Sequence, residues 1–283
     1  MKILVLGSFG MAGHMITTYL TNTEKYDVFT LSRYFDSDYI LDIEDKENTI
    51  EFFKTHRDFD YIINCIGVLA PDQYKNISRT VYVNSYFPKL LEQSYLESET
   101  RIIHISTDCI FDGKIGNYIE LDIPTETNIY GRSKALGEIN NNKDLTIRTS
   151  IIGTEIKSGS GLLHWFLTNK DKTCYGYSNA YWNGITTLEM AKAIESYIDT
   201  KCSLSGIYHL IPPGNIDKAS LLRLFNYVFD TDKTILNKEL DIPIDKTLVD
   251  TRKCFPYKPK LYLDQLVELK EFGEKYKLLK NYS

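Results

Sequence analysis

The residues best able to do chemistry lie between Arg101 and Glu138, in RIIHISTDCIFDGKIGNYIELDIPTETNIYGRSKALGE. Tyr130 is followed four residues later by Lys134. On a helix these positions share a face, so the phenol and the ammonium can enter one cleft. A cation beside a tyrosine favours the phenolate and lowers its pKa from a reference of about 10. That is what general acid–base chemistry near neutral pH requires. Upstream, Ile103 and Ile105 alternate as in a buried strand, and the polar cluster Ser106, Thr107, Asp108 follows at its carboxyl end. Taken alone, YxxxK also fits a tyrosine and a lysine on the solvated face of any helix, so the elements around it must decide.

The first of these elements opens the chain. KILVL (2–6) is a short unbroken apolar run, the mark of a central parallel strand. Gly7, Gly10 and Gly13 follow in GSFGMAG, then Met11, Ala12, Met15, Ile16, Tyr19 and Leu20 at helical spacing. Strand, glycine turn and helix amino terminus together make an anion site. The glycines permit close backbone approach, and the helix end offers free N–H groups to a phosphate. Met11, at the start of that helix, is placed with the glycines against a dinucleotide. The glycines could also serve only strand–helix packing.

A second strand is expected over YDVFTL (26–31), where an acidic residue just beyond the strand would hydrogen-bond the 2′-hydroxyl of NAD. Ser32 and Arg33 stand there instead. Neither repels a 2′-phosphate and a guanidinium attracts one, so NADPH is the expected cofactor, with NADH as the alternative. Asp42 and Ile43 end another extended run, where they meet the adenine or Asp42 caps the next helix. DYIINC (60–65) reads as a buried strand, and Cys65, Ile66 and Gly67 bring its edge to the cofactor. Arg79 to Leu96 has a helical pattern interrupted by Asn84, with Pro88 predicting a kink or break. LTIR (145–148) completes five alternations of strand and helix.

That alternation predicts an α/β, Rossmann-type doubly wound parallel sheet over residues 1–150, with ligands outside the strand carboxyl ends. Residues 151–283 are expected to form mainly a smaller substrate lobe, interleaved with the first domain. KSGSG (157–161) reads as a flexible loop, and 187–198, 217–229 and the tail from Leu261 as helices, with a strand at 206–211. YGYSNAYWNGIT (175–186) shows no period and reads as unpacked. Its Trp182 and Asn183 combine a flat apolar face with hydrogen-bonding groups suited to a sugar or base, although its aromatics could equally pack the lobe.

Composition excludes several classes. The 283 residues carry a net charge of −5, so nothing draws the chain to nucleic acid or anionic membrane. The five cysteines are scattered without a CxxC pair, which suggests neither zinc nor a disulfide framework. The five histidines show no ligand spacing, so no metal is expected. With no signal peptide and no apolar run of spanning length, a reduced cytoplasmic location is expected.

The ordered set GSFGMAG, STDCIFDG, DIPTETNIYGRSKALGE and LTIRTS resembles the extended short-chain dehydrogenase/reductase family. It is closest to the branch of dTDP-4-dehydrorhamnose reductase and its relatives acting on nucleotide-linked 4-keto-6-deoxy sugars. The resemblance implies reduction of the sugar's C4 keto group. Tyr130 would be the acid, Thr107 would orient the carbonyl, and Lys134 would tune Tyr130 and hold the cofactor's ribose; both Tyr130 and Lys134 would thus touch the cofactor. Asp108 and Ile151 would contact the sugar. A homodimer is compatible with this reading. Two departures fall where the sugar is expected: Ile151 replaces an aromatic residue after RTS, and NAYWNGIT replaces a Gln-Gly-Pro-Thr passage. The resemblance therefore leaves open a UDP-linked 2-acetamido-2,6-dideoxy-hexulose as substrate. It also leaves open a nucleotide-sugar epimerase retaining NAD, and a non-catalytic regulatory subunit such as that of methionine adenosyltransferase.

Overall fold

The computed structural model describes residues 1–156, 159 and 161–282. Its centre is set by β1 (Lys2–Leu6), four of whose five residues are buried. Successive side chains of a strand point to opposite faces, and both faces here are covered. Ile3 and Val5 join Ile63, Ile103 and Ile147 on one side. Leu4 and Leu6 join Ile62, Ile102, Phe53 and Phe87 on the other. Burial on both faces is why the strands read as unbroken apolar runs rather than alternating ones.

Around β1 stand β2 (Asp27–Ser32), β3 (Tyr39–Ile40), β4 (Tyr61–Asn64), β5 (Arg101–Ile105) and β6 (Leu145–Arg148). All pair in parallel, with Ile3 opposite Val28 and Tyr61, and Ile103 opposite Leu145. The helices between them are α1 (Met11–Asn22), α2 (Lys46–Thr55), α3 (Ile77–Val81), α4 (Phe87–Ser94) and α5 (Ile129–Gly137). This is the doubly wound α/β sheet read from the sequence. A seventh strand, β11 (Gly206–His209), is added in parallel beside β6, giving the order β11-β6-β5-β4-β1-β2-β3. The chain beyond residue 151 thus returns to the main sheet. Helix α7 (Thr187–Asp199) likewise contributes Met190, Ile194 and Tyr197 to the core that α1 helps to form.

Pro88 does not end the helical run. Between α3 and α4 the chain makes a π-helical turn, Tyr82–Tyr86, and Pro88 lies in the first turn of α4. Proline has no N–H for the carbonyl four residues back, here that of Asn84. A wider turn accommodates the missing bond while the chain stays helical.

The remaining elements form a lobe of small sheets: β7 (Ile151–Ile152) with β10 (Ile185–Thr186), β8 (Thr173–Tyr177) with β13 (Thr234–Lys238), and β12 (Ile216–Asp217), β9 (Ala180–Trp182) and β14 (Ile244–Asp245) side by side. Helices α6 (Leu162–Thr168), α8 (Lys218–Val228) and α9 (Tyr262–Lys275) pack on them through Phe166, Phe225, Leu266 and Leu269. The passage 175–186 is therefore corrected from unpacked to three short strands. Its period of two was hidden because two of its inward positions are small, Gly176 and Ala180, while Tyr175 and Tyr181 point outward. Of the KSGSG loop, Lys157, Ser158 and Ser160 lie outside the described residues. Among the described residues no helix is long and apolar enough to cross a membrane.

Candidate active site

Tyr130 is the second residue of α5 and is held from three directions. Asn128 caps the helix by accepting from Gly131 N (2.8 Å). The Tyr130 amide, one of the helix-end donors without an intrahelical partner, donates to Gln73 Oε1 (2.8 Å). Ser133 Oγ donates to the Tyr130 carbonyl (3.0 Å) and itself accepts from Asn84 Nδ2 (3.2 Å). Asn84 also pairs with both backbone groups of Val68, accepting from its N–H (2.8 Å) and donating to its carbonyl (3.1 Å). Through this one buried amide the π-helical turn joins the end of β4 to α5. Gly131 is required by proximity: a Cβ there would lie 2.4 Å from the Cys109 carbonyl.

Thr107 stands just past β5, buried, and caps the single turn Asp108–Ile110 by accepting from Cys109 N (3.1 Å). Its hydroxyl donates to Asp108 Oδ1 (3.1 Å) and lies beside the Tyr130 phenol. Lys134 is 5% exposed and its Nζ donates to the Ile105 carbonyl (2.7 Å). Behind it, Glu138 is gripped by Arg148 Nε and Nη2 (2.8 Å each) and accepts from Ser106 Oγ (2.6 Å). The structure thus gathers Thr107, Tyr130 and Lys134 at the carboxyl ends of β5 and its neighbours.

The electrostatics correct one expectation. Burial pushes the Tyr130 phenol above its usual range, with the neighbouring Cys109 and Asp108 acting in the same direction and only Thr107 favouring the ionised form. Lys134 does not depress it, because its ammonium is turned to the Ile105 carbonyl. Lys134 itself falls to about 8, because burial penalises its charge more than Glu138 and Cys65 favour it. The phenol therefore holds its proton at neutral pH, as a proton donor must. Burial likewise drives the Cys65 and Cys109 thiols up to about 12, which leaves neither as a nucleophile near neutrality.

Alongside lies a cavity of about 240 Å³ whose lining includes Gly7, Gly10, Ser32, Arg33, Asp42, Ile43, Cys65, Ile66 and Gly67. These are nine of the residues placed at a cofactor from sequence. Gly7 sits at φ +77°, and a Cβ on Gly13 would come within 2.2 Å of the Gly7 carbonyl, so the turn can be built only from glycine at these points. Gly10 precedes α1 with no side-chain cap, and the buried Ser8 Oγ beside it has no hydrogen-bond partner among the described residues. Uncapped helix donors, an orphaned hydroxyl and a glycine cradle fit a dinucleotide phosphate.

Gly13 and Met11 do not line the cavity. Gly13 acts through packing, and the Met11 methyl lies against Gly161. Asp42 accepts from Glu44 N (3.1 Å), while the cap of α2 is Asp45, so the capping alternative for Asp42 is set aside. The sequence reading missed Phe9, Tyr34, Leu41, Glu44, Arg79 and Val83 on the same wall. Arg79 is paired with Glu44 (2.7 Å), whereas Arg33, on the cavity wall, is exposed and leans on the Tyr34 ring (5.6 Å).

On the substrate side, Asp108 is buried beside Thr107, and Ile151 opens β7 opposite Ile185. Trp182 is packed into the lobe, tilted against Tyr262 with ring centroids 6.0 Å apart. Asn183 is spent on backbone: Nδ2 donates to the Leu248 carbonyl (2.7 Å) and Oδ1 accepts from Leu248 N (2.9 Å). It fastens the segment after β14 to the lobe.

The family described as the RmlD substrate binding domain matches residues 1–238. The chain belongs to this family. Among its relatives is the dTDP-4-dehydrorhamnose reductase of Aggregatibacter actinomycetemcomitans, 32% identical over 142 residues, which are 48% of this chain and 45% of that one. Methionine adenosyltransferase 2 subunit beta of Danio rerio is 28% identical over 147 residues, 48% of this chain and 42% of that one. The matched stretch spans less than half the length of these curated relatives. A solved structure of a hypothetical dTDP-4-dehydrorhamnose reductase from Sulfolobus tokodaii superposes with a TM-score of 0.78 at 26% identity, covering 94% of this chain and 99% of that one. The dTDP-4-dehydrorhamnose reductase of Bacillus anthracis, solved with NADP, has a TM-score of 0.81 at 19% identity, covering 96% and 99%. That second likeness is one of fold.

Proposed function

We propose that the chain is an NADPH-dependent reductase of the C4 keto group of a nucleoside-diphosphate 4-keto-6-deoxy sugar. The observation that carries this reading is a buried, protonated Tyr130 beside Thr107, at the sheet edge that also holds the glycine cradle and Arg33. When bound, NADPH supplies hydride chemistry. Gly7 and Gly10 would hold its diphosphate, Arg33 its 2′-phosphate, and Asp42 and Ile43 its adenine. Thr107 would turn its hydroxyl proton from Asp108 Oδ1 to the keto oxygen and polarise it. Tyr130 gives its proton to that oxygen as negative charge develops there. Lys134, charged at neutral pH, would hold the cofactor's ribose. Residues from 151 onward, apart from α7 and β11, supply the lobe that receives the sugar.

The test is a panel of dTDP-, UDP- and GDP-linked 4-keto-6-deoxy sugars, with loss of NADPH absorbance as the readout. One NADPH consumed per sugar reduced is the expected result. Interconversion of sugars without net consumption of NADPH would identify an epimerase. The likeness to methionine adenosyltransferase subunit beta supports a second reading as a regulatory subunit. That reading requires no turnover with any sugar in the panel.

A further inference from the structure

Two lysines outside the catalytic set share one face of the sheet β12-β9-β14. Trp182 lies opposite Ile216 in β12, and Tyr181 lies opposite both Asp217 and Asp245. One step further along each outer strand brings Lys218 level with Ala180 and Lys246 level with Trp182. Ala180 and Trp182 point to the same side of β9 and both are buried, so the two ammonium groups rise from the face that is turned inward. The Lys218 ammonium lies 4.9 Å from the centre of the Trp182 ring. The field of both lysines reaches Asp108 and Cys109, immediately after Thr107.

The two differ in what they touch. Lys246 pairs with Glu126 (3.1 Å), which also accepts from the amides of Thr127 (2.8 Å) and Asn128 (3.2 Å) ahead of α5. Among the described residues, no carboxylate oxygen lies within 4.0 Å of the Lys218 ammonium. An ammonium removed from water without a paired anion is costly, and an aromatic face returns only about 0.5–2 kcal/mol of that cost. Asp108, the acid whose field reaches Lys218, already accepts from Thr107 at Oδ1. Lys218 is thus a partly buried cation at the mouth of the reaction site, held in direction by Trp182 and short of one anion.

We propose that Lys218, assisted by Lys246, binds the diphosphate of the sugar nucleotide and so sets the distance between the nucleotide and the keto carbon at Thr107. This rests on the proposed function, because the diphosphate is the strong anion of that substrate class. It also gives Trp182 a role: its ring positions Lys218, and it need not touch the sugar.

The test is calorimetric titration of the whole chain with UDP, dTDP, GDP, their parent nucleosides and, separately, NADPH. Lys218→Met keeps the aliphatic stem over Trp182 and removes the charge. It should weaken the preferred nucleoside diphosphate by on the order of 10- to 100-fold, as expected for one charged hydrogen bond. Nucleoside and NADPH binding should hardly change. Lys218→Arg should restore most of the loss, and Lys246→Met should show a smaller one. Equal affinity for the diphosphate in Lys218→Met and the parent chain, or no binding of any nucleoside diphosphate, would overturn the proposal. Retained diphosphate binding with no sugar reduced would instead count against the reductase reading and leave the anion site standing.

Discussion

The titration of Lys134 gives the sharpest test of how this site works. Burial brings its pKa from the ordinary 10.5 to about 8, roughly 3 kcal/mol in favour of the neutral amine. The sign follows directly. Lysine is charged below its pKa, so the cation that the proposed function sets at the cofactor's ribose is present at neutral pH and is lost as the pH rises through 8. Tyr130 moves the other way and keeps its proton over the whole interval. With a pKa of about 8, roughly nine sites in ten carry the charge at pH 7 and roughly one in ten at pH 9. In the reducing direction kcat/KM should therefore fall about tenfold between those values, because that ratio reports the groups of the free enzyme. The NADPH Kd should weaken over the same interval, since Lys134 also faces the ribose; this readout needs no turnover. Lys134→Arg stays charged, so its profile, whatever its plateau, should lose the inflection near pH 8. A flat profile to pH 9.5, or the same inflection in Lys134→Arg, would refute the assignment.

Three further substitutions probe the rest of the machinery. Tyr130→Phe keeps the ring and removes the proton, so turnover should drop by on the order of 10²–10⁴-fold while the NADPH Kd stays within a few-fold. Arg33→Asp should weaken NADPH by on the order of 10- to 100-fold and NADH far less. Arg79 cannot take over, because it is paired with Glu44; an unchanged NADPH/NADH ratio would remove Arg33 from the 2′-phosphate. Gly13→Ala would place a methyl 2.2 Å from the Gly7 carbonyl, forcing α1 away from the glycine turn. Both the melting temperature and NADPH affinity should fall, and a variant with parental values would show that the turn can shift at no cost.

Residues that the sequence singled out by type and spacing are gathered by the structure: Tyr130 and Lys134 lie one turn apart on α5, and Gly7, Gly10 and Arg33 line one cavity. Burial on both faces made β1, β4, β5 and β6 plain as apolar runs. The parts that stayed hidden depend on partners far along the chain. Nothing local in GIYH shows that β11 pairs with β6. TILNK is largely exposed and becomes a strand only beside β8. The fasteners of the site, Gln73, Asn84 and Ser133, are ordinary polar residues whose roles exist only once α5 lies against the π-helical turn. Asn84 left one trace, an amide on the buried side of a helical pattern. A buried amide must find partners, and these were the Val68 backbone and Ser133.

The protonation states of Tyr130 and Lys134 follow from the balance between burial and charge. A cation depresses a phenol's pKa when it lies within about 4–6 Å, and Lys134, which donates to the Ile105 carbonyl, is not among the groups that act on Tyr130. Desolvation then dominates both groups and moves them toward neutrality from opposite sides, the phenol up and the ammonium down. A phenol in that state gives up a proton only when something nearby becomes more basic, as a keto oxygen does when it receives hydride. Removing hydride from an alcohol requires the reverse, a phenolate ready to accept, which this environment disfavours. A Tyr130 that keeps its proton at neutral pH is in the form from which the proposed reduction starts.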